Sequence, residues 1–338
     1  MTQETRPLTQ YLDPLRRLTA TPLVADLCIM GRTIRLQSNS EAIFARITTL
    51  FPCSLGQLVN QPDFIWRLVG EKNAGEGRSW PEMAAFSDHG LRYVNLGRKS
   101  FFAVDLNARE AIAFLSEAWA GDAAGFSSVF TATLFDLTAS ALGLVQIAAA
   151  CVSLHRKAAL VMGPPRSGKT TSTYLAGKLG LEFHSDQATY LKLQPGGLQV
   201  WGQFWPAAFR EESVLFLPEL TAGTQSFRYA NLTHLCFSPR SAGERQAQSA
   251  TPVVCVYLEK QAAEVPQLLP LTPAEREDCI GDCLSFREDV RFESQRNAAL
   301  YALGKLPAYR LPYGSDPAVA ATFLRSILSV HNSLEESR

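Results

Sequence analysis

Residues 163–170 have the residue types and the spacing of a phosphate-binding loop. They read Gly-Pro-Pro-Arg-Ser-Gly-Lys-Thr and fit the Walker A pattern G-x-x-x-x-G-K-[ST]. The two glycines let the backbone curl so that several N–H groups point into one cavity, and a following helix would add its positive dipole end. Lys169 can then reach the β- and γ-phosphates, and the Thr170 hydroxyl can ligate Mg²⁺. The predicted nucleotide-binding residues are Gly163, Pro164, Pro165, Arg166, Ser167, Gly168, Lys169, Thr170 and Thr171.

Such a loop works only between a strand and a helix, and the flanking sequence predicts both. Residues 158–162 form a short apolar run, as expected of a buried strand. Residues 171–179 have helical spacing, and Gly180 stands where a helix often ends. The sequence therefore predicts a strand, a phosphate loop and a helix start, which together bind a nucleoside phosphate.

Phosphoryl transfer also needs a carboxylate, and Asp186 is the best candidate. It ends residues 181–186, which we predict to be the strand after the loop helix, at the edge where ligands bind in open α/β sheets. Asp186 is predicted to hold Mg²⁺ with Thr170 or to act as a base. Arg210 is predicted to neutralise charge on the transferred group. His184 is open to two interpretations, a packed core residue or a catalytic one.

Composition limits the classes of function. The chain has 338 residues, 46% of them hydrophobic, and 32 basic residues balance 32 acidic ones. A net charge of zero favours neither a nucleic-acid-binding nor a basic membrane-binding surface. The most apolar segment, residues 137–152, is too short to span a bilayer, and no secretory signal is visible. We therefore expect a cytoplasmic protein with no nucleic-acid or membrane partner, whose seven cysteines are reduced thiols.

The organisation of the chain predicts two parts. Residues 1–125 are expected to form a smaller α+β region that selects the partner or substrate, and residues 126–338 an ATP-binding domain. Alternating patterns predict strands at 33–37, 92–96 and 100–105, and residues 107–112 fit a strand or a helix start equally well. Residues 70–78 look like a loop. A long apolar helix is predicted over 127–145, and a hairpin around 195–197 favours a mixed sheet over a purely parallel one.

These motifs resemble those of the HPr kinase/phosphorylase-related family, whose nucleotide domain is similar to that of phosphoenolpyruvate carboxykinase. The resemblance covers roughly residues 100–330 and is most specific at the loop. It also includes segments in the same order along the chain, at residues 104–105, 185–186, 205–220 and 307–314. The fold that it implies is an α/β, P-loop nucleotide-binding domain with a mixed sheet, preceded by the smaller α+β region.

The resemblance also implies roles and shows departures. It assigns phosphate binding to Lys169 and phosphate and Mg²⁺ binding to Thr170. The family usually has two adjacent aspartates after the loop helix, whereas this chain has Asp186 followed by Gln187. Ala148 stands where the family has a histidine, and Trp205 where it has an arginine. All three departures fall at positions that bear on phosphoryl transfer.

The leading hypothesis is a kinase-like protein that uses ATP and Mg²⁺ to transfer a phosphoryl group to a hydroxyl. The acceptor would be a serine of a peptide or small protein, or a small molecule, and assembly into a homo-oligomer is compatible with this function. The alternative is a degenerate, non-catalytic nucleotide-binding module for partner or peptide recognition. A GTPase switch fits less well, because the chain contains no N-K-x-D element for guanine recognition.

Overall fold

The computed structural model describes most of the chain as three β-sheets with helices packed on them. The described residues are 19–336, except 55, 73–78, 84, 98–99, 222–223, 238–248, 262–265 and 285–289. Most of the loop expected at residues 70–78 therefore lies outside the described residues.

An eight-stranded mixed sheet forms the first part of the molecule. Its strands lie in the order β3-β1-β2-β4-β8-β7-β6-β5, and only the β2–β4 and β4–β8 pairs are parallel. The strands are β1 (Leu23–Ile29), β2 (Arg32–Ser38), β3 (Cys53–Ser54), β4 (Phe64–Glu71), β5 (Ala85–Asp88), β6 (Leu91–Asn95), β7 (Phe101–Asp105) and β8 (Glu110–Ser116). Helix α1 (Glu41–Leu50) connects β2 to β3, and the Ser40 side chain caps its N-terminus.

One face of this sheet packs against a helical stretch at residues 123–142. The stretch contains helix α2 (Ala132–Ala139), which a π-helical turn, Phe126–Thr131, precedes. Trp66 on β4 and Phe102 on β7 are fully buried in the same hydrophobic cluster as residues of this stretch. The stretch ends at Gly143, whose left-handed backbone leads into the next strand.

A nine-stranded mixed sheet follows and carries the phosphate loop. Seven strands lie in the order β12-β10-β11-β18-β14-β13-β9, and β20, flanked by β19, pairs with β18. The pairs β11–β18 and β18–β20 are parallel. The strands are β9 (Val145–Ile147), β10 (Ala150–Leu154), β11 (Lys157–Met162), β12 (Glu182–Ser185), β13 (Thr189–Gln194), β14 (Gly197–Trp201), β18 (Ser249–Glu259), β19 (Leu269–Pro270) and β20 (Ala308–Pro312).

Helices cover both faces of this second sheet, which explains why β11 is apolar and buried from Ala158 to Met162. Val161 faces helices α3 (Lys169–Lys178) and α6 (Pro317–Glu336). Leu160 belongs to the opposite cluster, with α4 (Pro273–Gly281) and α5 (Val290–Gly304).

A three-stranded sheet in the order β15-β17-β16 packs beside α3. Its strands are β15 (Ala207–Arg210), β16 (Gln225–Tyr229) and β17 (Leu232–Phe237). One face holds Phe209 and Phe237, whose rings meet the Tyr174 ring of α3 edge-on at centroid distances of 5.4 and 4.9 Å. This aromatic contact fixes the sheet against the loop helix.

The structure confirms most of the predicted elements near the loop. The strand before the loop, the helix after it, the hairpin around residues 195–197 and the paired strands β6 and β7 are all present. Residues 107–112 resolve as a turn followed by β8. The helix predicted over 127–145 ends at Leu142, and α5 was not predicted at all.

Two broader expectations have partial answers. The chain is an α/β protein with mixed sheets, and the division after residue 125 stays a prediction. None of the described helices combines the length and the hydrophobicity that a membrane span requires. All seven cysteines are free thiols, and Cys28 and Cys53 are the two exposed ones.

Gly202 provides a test of how the second sheet positions Asp186. A Cβ atom at Gly202 would lie 2.2 Å from the backbone oxygen of His184, two residues before Asp186. We expect Gly202→Ala to lower the free energy of unfolding by about 1–3 kcal/mol, because the two backbones would have to separate. Urea unfolding followed by circular dichroism measures this change.

Gly196 is the matched control for Gly202, because it lies in the adjoining hairpin and a Cβ atom there would meet nothing within 4 Å. Gly196→Ala should change the free energy of unfolding by no more than about 0.5 kcal/mol. Equal urea midpoints for Gly202→Ala and the unsubstituted protein would contradict the proposed close approach.

Candidate nucleotide site

The loop between β11 and α3 has a backbone that only glycine accommodates at two points. Gly163 has φ +140° and Gly168 has φ +85°. A Cβ atom at Gly163 would lie 2.6 Å from the Leu258 carbonyl oxygen, and one at Gly168 would lie 2.2 Å from the Tyr313 hydroxyl. Both glycines are therefore required by backbone conformation and by close packing.

The remaining loop residues divide into an exposed arm and a buried end. Pro164, Pro165 and Arg166 are exposed, and Arg166 also has a left-handed backbone, with φ +68°. Ser167 is buried, and Thr171 is nearly so on the first turn of α3. Arg166 is thus exposed to solvent, where its side chain could approach a bound anion.

Lys169 begins α3 and folds back onto the loop. Its Nζ donates hydrogen bonds to the carbonyl oxygens of Gly163, at 2.7 Å, and Pro164, at 3.0 Å. Burial lowers the pKa of Lys169, while Cys283 and Asp186 act in the opposite direction. The ammonium group is thus held inside the loop, and a phosphate would take over bonds that the two carbonyl groups now make.

Thr170 and Asp186 meet as the sequence predicts. The Thr170 hydroxyl donates to the Asp186 carboxylate across 3.5 Å, and the Ala208 N–H donates to the same carboxylate oxygen at 3.2 Å. Asp186 is only 2% exposed. Burial raises its pKa to about 6, and these hydrogen bonds limit the rise. The carboxyl group is therefore mostly ionised at neutral pH, although it carries a desolvation cost.

The donor set at this point fits Mg²⁺. A hydroxyl and a carboxylate are hard oxygen ligands, and Mg²⁺ usually takes one or two carboxylates while phosphates and waters complete its shell. Within the described residues, no group of three or more His, Cys, Asp or Glu side chains could hold a metal ion by itself. Thr170 and Asp186 would hold the ion only together with a bound nucleotide.

Arg210 lies at the end of β15, two residues beyond Ala208, and pairs in register with His234 of β17. Burial lowers the pKa of His234, and Arg210 adds to that effect. No hydrogen bond or ion pair within the described part of the chain joins Arg210 to Lys169, Thr170 or Asp186. Its predicted catalytic role therefore stays a prediction.

Of the three residues that differ from the pattern of the resembled family, two make identifiable contacts. The Ala148 N–H donates to the Cys283 carbonyl at 2.7 Å. Trp205 is buried, with its ring against those of Phe135 and Tyr190, each at a centroid distance of 6.3 Å. Gln187 is exposed beside the buried Asp186.

His184 is fully buried, and its Nε2 lies 2.8 Å from the Ser153 hydroxyl. The Ser153 hydroxyl in turn donates to the Glu182 carboxylate at 2.9 Å. Burial lowers the pKa of His184 to about 4, so the ring is neutral at physiological pH. This environment agrees with the interpretation of His184 as a packed core residue and not with that of a catalytic residue.

Two residues at the loop were not found from the sequence. Burial raises the pKa of the Cys283 thiol to about 11, and the Gly163 N–H acts in the opposite direction. Tyr313 donates from its hydroxyl to the Ser167 carbonyl at 2.6 Å. Both residues lie far along the chain from the loop, and only the sheet topology brings them there.

Comparison with known proteins gives a faint structural likeness and no similarity in sequence. No protein-family model matches this chain, and no curated protein is similar to it in sequence. The solved structure of the Hpr(Ser) kinase/phosphatase from Coxiella burnetii aligns with a TM-score of 0.32 and 12% identity, covering 57% of this chain and 95% of that chain. A likeness this loose carries no weight for function, so the residues themselves must support any assignment.

The raised pKa of Asp186 predicts that removing its charge stabilises the protein. A carboxyl group whose folded pKa is raised stabilises the fold fully below its unfolded pKa, and this contribution is lost as pH rises through about 6. Asp186→Asn should therefore raise the free energy of unfolding by about 1–2 kcal/mol at pH 8, with a smaller gain at pH 5. Urea unfolding at the two pH values measures the difference.

Asp26 is the control, because its pKa is shifted in the opposite direction to that of Asp186. Burial acts to raise its pKa, but the hydrogen bonds from Arg35 and Val59 outweigh burial, so the pKa lies below the usual value. Asp26→Asn should therefore destabilise the protein at pH 8, with a loss that shrinks as the pH falls below about 4. A loss of stability in Asp186→Asn at pH 8 would contradict the account of Asp186.

Proposed function

We propose that this protein binds ATP with Mg²⁺ and transfers the terminal phosphoryl group to a hydroxyl group. The observation that carries the proposal is the contact of Thr170 with Asp186 at 3.5 Å, directly beside a loop whose two glycines have left-handed backbones. A hydroxyl, a carboxylate, a lysine and a helix N-terminus are groups that bind a phosphate–metal complex, and their proximity supports the proposal.

In this proposal each residue has one role. The loop N–H groups and the N-terminus of α3 bind the phosphates, and Lys169 leaves its carbonyl partners to bond the β- and γ-phosphates. Thr170 and Asp186 hold the metal ion, which when bound supplies positive charge to the phosphate oxygens. Arg166 and Arg210 are the candidates for stabilising charge on the transferred group from the solvent side.

The chemical step would join the acceptor oxygen to the γ-phosphorus while the bond to the β-phosphate oxygen breaks. Because the transition state of such transfers is loose, positioning and charge stabilisation supply most of the rate. Asp186 bonds Thr170 and Ala208 and suits the metal role, so the acceptor proton would pass to a phosphate oxygen or to water. We propose a peptide, a small protein or a small molecule as acceptor, selected by residues 1–125.

A second function is favoured by the surroundings of Asp186. Gln187 presents an amide where a second carboxylate would be needed, and Trp205 is committed to the hydrophobic core. Both observations suit a nucleotide-binding module without transfer chemistry, which would recognise a partner or peptide and use the nucleotide as a structural ligand.

Titration calorimetry with ATP, ADP and GTP, with and without Mg²⁺, tests the proposal, together with an assay for released phosphate. The proposal expects Mg²⁺-dependent binding of a triphosphate and slow hydrolysis when no acceptor is present. Absence of nucleotide binding would overturn both functions. Binding without hydrolysis or transfer would favour the binding module.

Lys169→Ala is expected to weaken Mg·ATP binding at least tenfold and to abolish transfer, because the phosphates lose their nearest cation. Lys178→Ala on the last turn of α3 is the matched control, because that ammonium pairs with Glu219 and lies at the other end of the helix. Equal ATP affinity in Lys169→Ala and Lys178→Ala would show that the loop does not bind phosphate as proposed.

Gln187→Asp separates the two functions. If this is a kinase with a reduced site, a second carboxylate should raise phosphate release or transfer by about a hundredfold, the low end of what a positioned base contributes. Gln187→Asn is the control, since it keeps the amide and adds no charge. Unchanged turnover in Gln187→Asp, with nucleotide binding intact, would favour the binding module.

A further inference from the structure

Tyr313 lies against the phosphate loop from the neighbouring part of the sheet. It follows β20, which runs parallel to β18, and β18 runs parallel to β11. All three strands therefore end at the same edge, where the loop follows β11 and Tyr313 follows β20. The Tyr313 N–H donates to the Glu259 carbonyl at 3.2 Å, so its backbone is held to the end of β18.

The Tyr313 hydroxyl fixes one peptide plane of the loop. It donates to the Ser167 carbonyl at 2.6 Å, and the side chain is only 3% exposed. Burial raises the pKa of Tyr313, so the hydroxyl keeps its proton and remains a donor at physiological pH. The ring also lies so close to Gly168 that a Cβ atom there would be 2.2 Å from the hydroxyl oxygen.

The orientation of this plane decides where the Gly168 N–H points. In a trans peptide the carbonyl oxygen and the N–H of the next residue point in opposite directions. With the Ser167 oxygen held toward Tyr313, the Gly168 N–H is directed away from Tyr313. Gly168 directly precedes α3, so its N–H lies next to the N-terminal N–H groups of that helix, which can bind an anion.

We propose that Tyr313 is a positioning residue for phosphate binding, which orients the Ser167–Gly168 peptide so that its N–H donates to the nucleotide's phosphates. This inference rests on the proposed nucleotide binding and adds a residue that the sequence pattern of the loop does not contain. Tyr313 acts through the peptide and does not touch the ligand. Its effect should therefore fall on the polyphosphate part of any ligand and not on the base.

Tyr313→Phe tests the proposal because it removes one oxygen and keeps the ring in the hydrophobic cluster. We expect Mg·ATP to bind about five- to tenfold more weakly, which is the range for one lost hydrogen bond. Mg·pyrophosphate should lose affinity by the same factor. Tyr309→Phe on β20 is the matched control and should leave both affinities unchanged. Calorimetric titration with the two ligands measures the factors, and thermal unfolding without ligand shows that both variants are folded.

Gly168→Ala provides a second measurement. Its Cβ atom would collide with the Tyr313 hydroxyl, so the substitution should reduce stability more in the unsubstituted protein than in Tyr313→Phe, where that oxygen is gone. Additive losses of stability would show that the two groups do not meet.

The outcomes for Tyr313 and for nucleotide binding are distinguishable. If the unsubstituted protein binds neither ATP nor pyrophosphate, the proposed function fails. If it binds both and Tyr313→Phe binds them equally well, the function stands and the role of Tyr313 is wrong. A loss in Tyr313→Phe for ATP alone would also overturn the proposal, because it would place the effect outside the phosphate-binding part of the site.

Discussion

The buried carboxyl group of Asp186 is the point on which the candidate site depends. It accepts hydrogen bonds from Thr170 at the head of α3 and from Ala208 on β15, while its own backbone directly follows β12. The helix α3 and the strands β12 and β15 therefore meet at this one carboxyl group. Burying that charge is unfavourable, and the hydrogen bonds recover only part of the lost hydration. The protein keeps a destabilising group where a metal ion would use it, as is common at functional sites.

The phosphate loop is fixed by the sheet as much as by its own sequence. Gly163 lies against the end of β18 through the Leu258 carbonyl, and the Ser167 carbonyl is held by Tyr313 beyond β20. These contacts come from strands that run parallel to β11 and end at the same edge. The loop is therefore supported from one side by backbone and side-chain contacts, while its arm at Pro164, Pro165 and Arg166 stays open to solvent.

The elements around the loop could be predicted from local sequence signals. The contacts that residues distant along the chain make with the loop could not. The apolar run of β11 and the glycine after α3 act within a few residues, so the strand and the helix follow from the sequence. Helix α5 was missed because its apolar residues do not form one clear stripe: only Ala299 and Leu303 are buried, while Val290 and Tyr301 are exposed. Among the site residues, Asp186 followed from its position after the loop helix. Tyr313 and Cys283 could not be predicted as loop contacts, because strand pairing and a helix on the opposite face bring them there.

The hydrogen bonds that Lys169 makes to its own loop have a consequence for which ligands the loop would favour. The ammonium group of Lys169 already donates to two carbonyl oxygens, so an anion that binds this group has to replace those hydrogen bonds. A small anion such as chloride would have to break these bonds and could offer few in return. Under the proposed function, a polyphosphate would bond the backbone N–H groups of the loop as well as the lysine, and these added bonds would offset the ones that Lys169 gives up. If the loop binds a nucleotide as proposed, these hydrogen bonds would favour ligands with several phosphate groups over single inorganic anions.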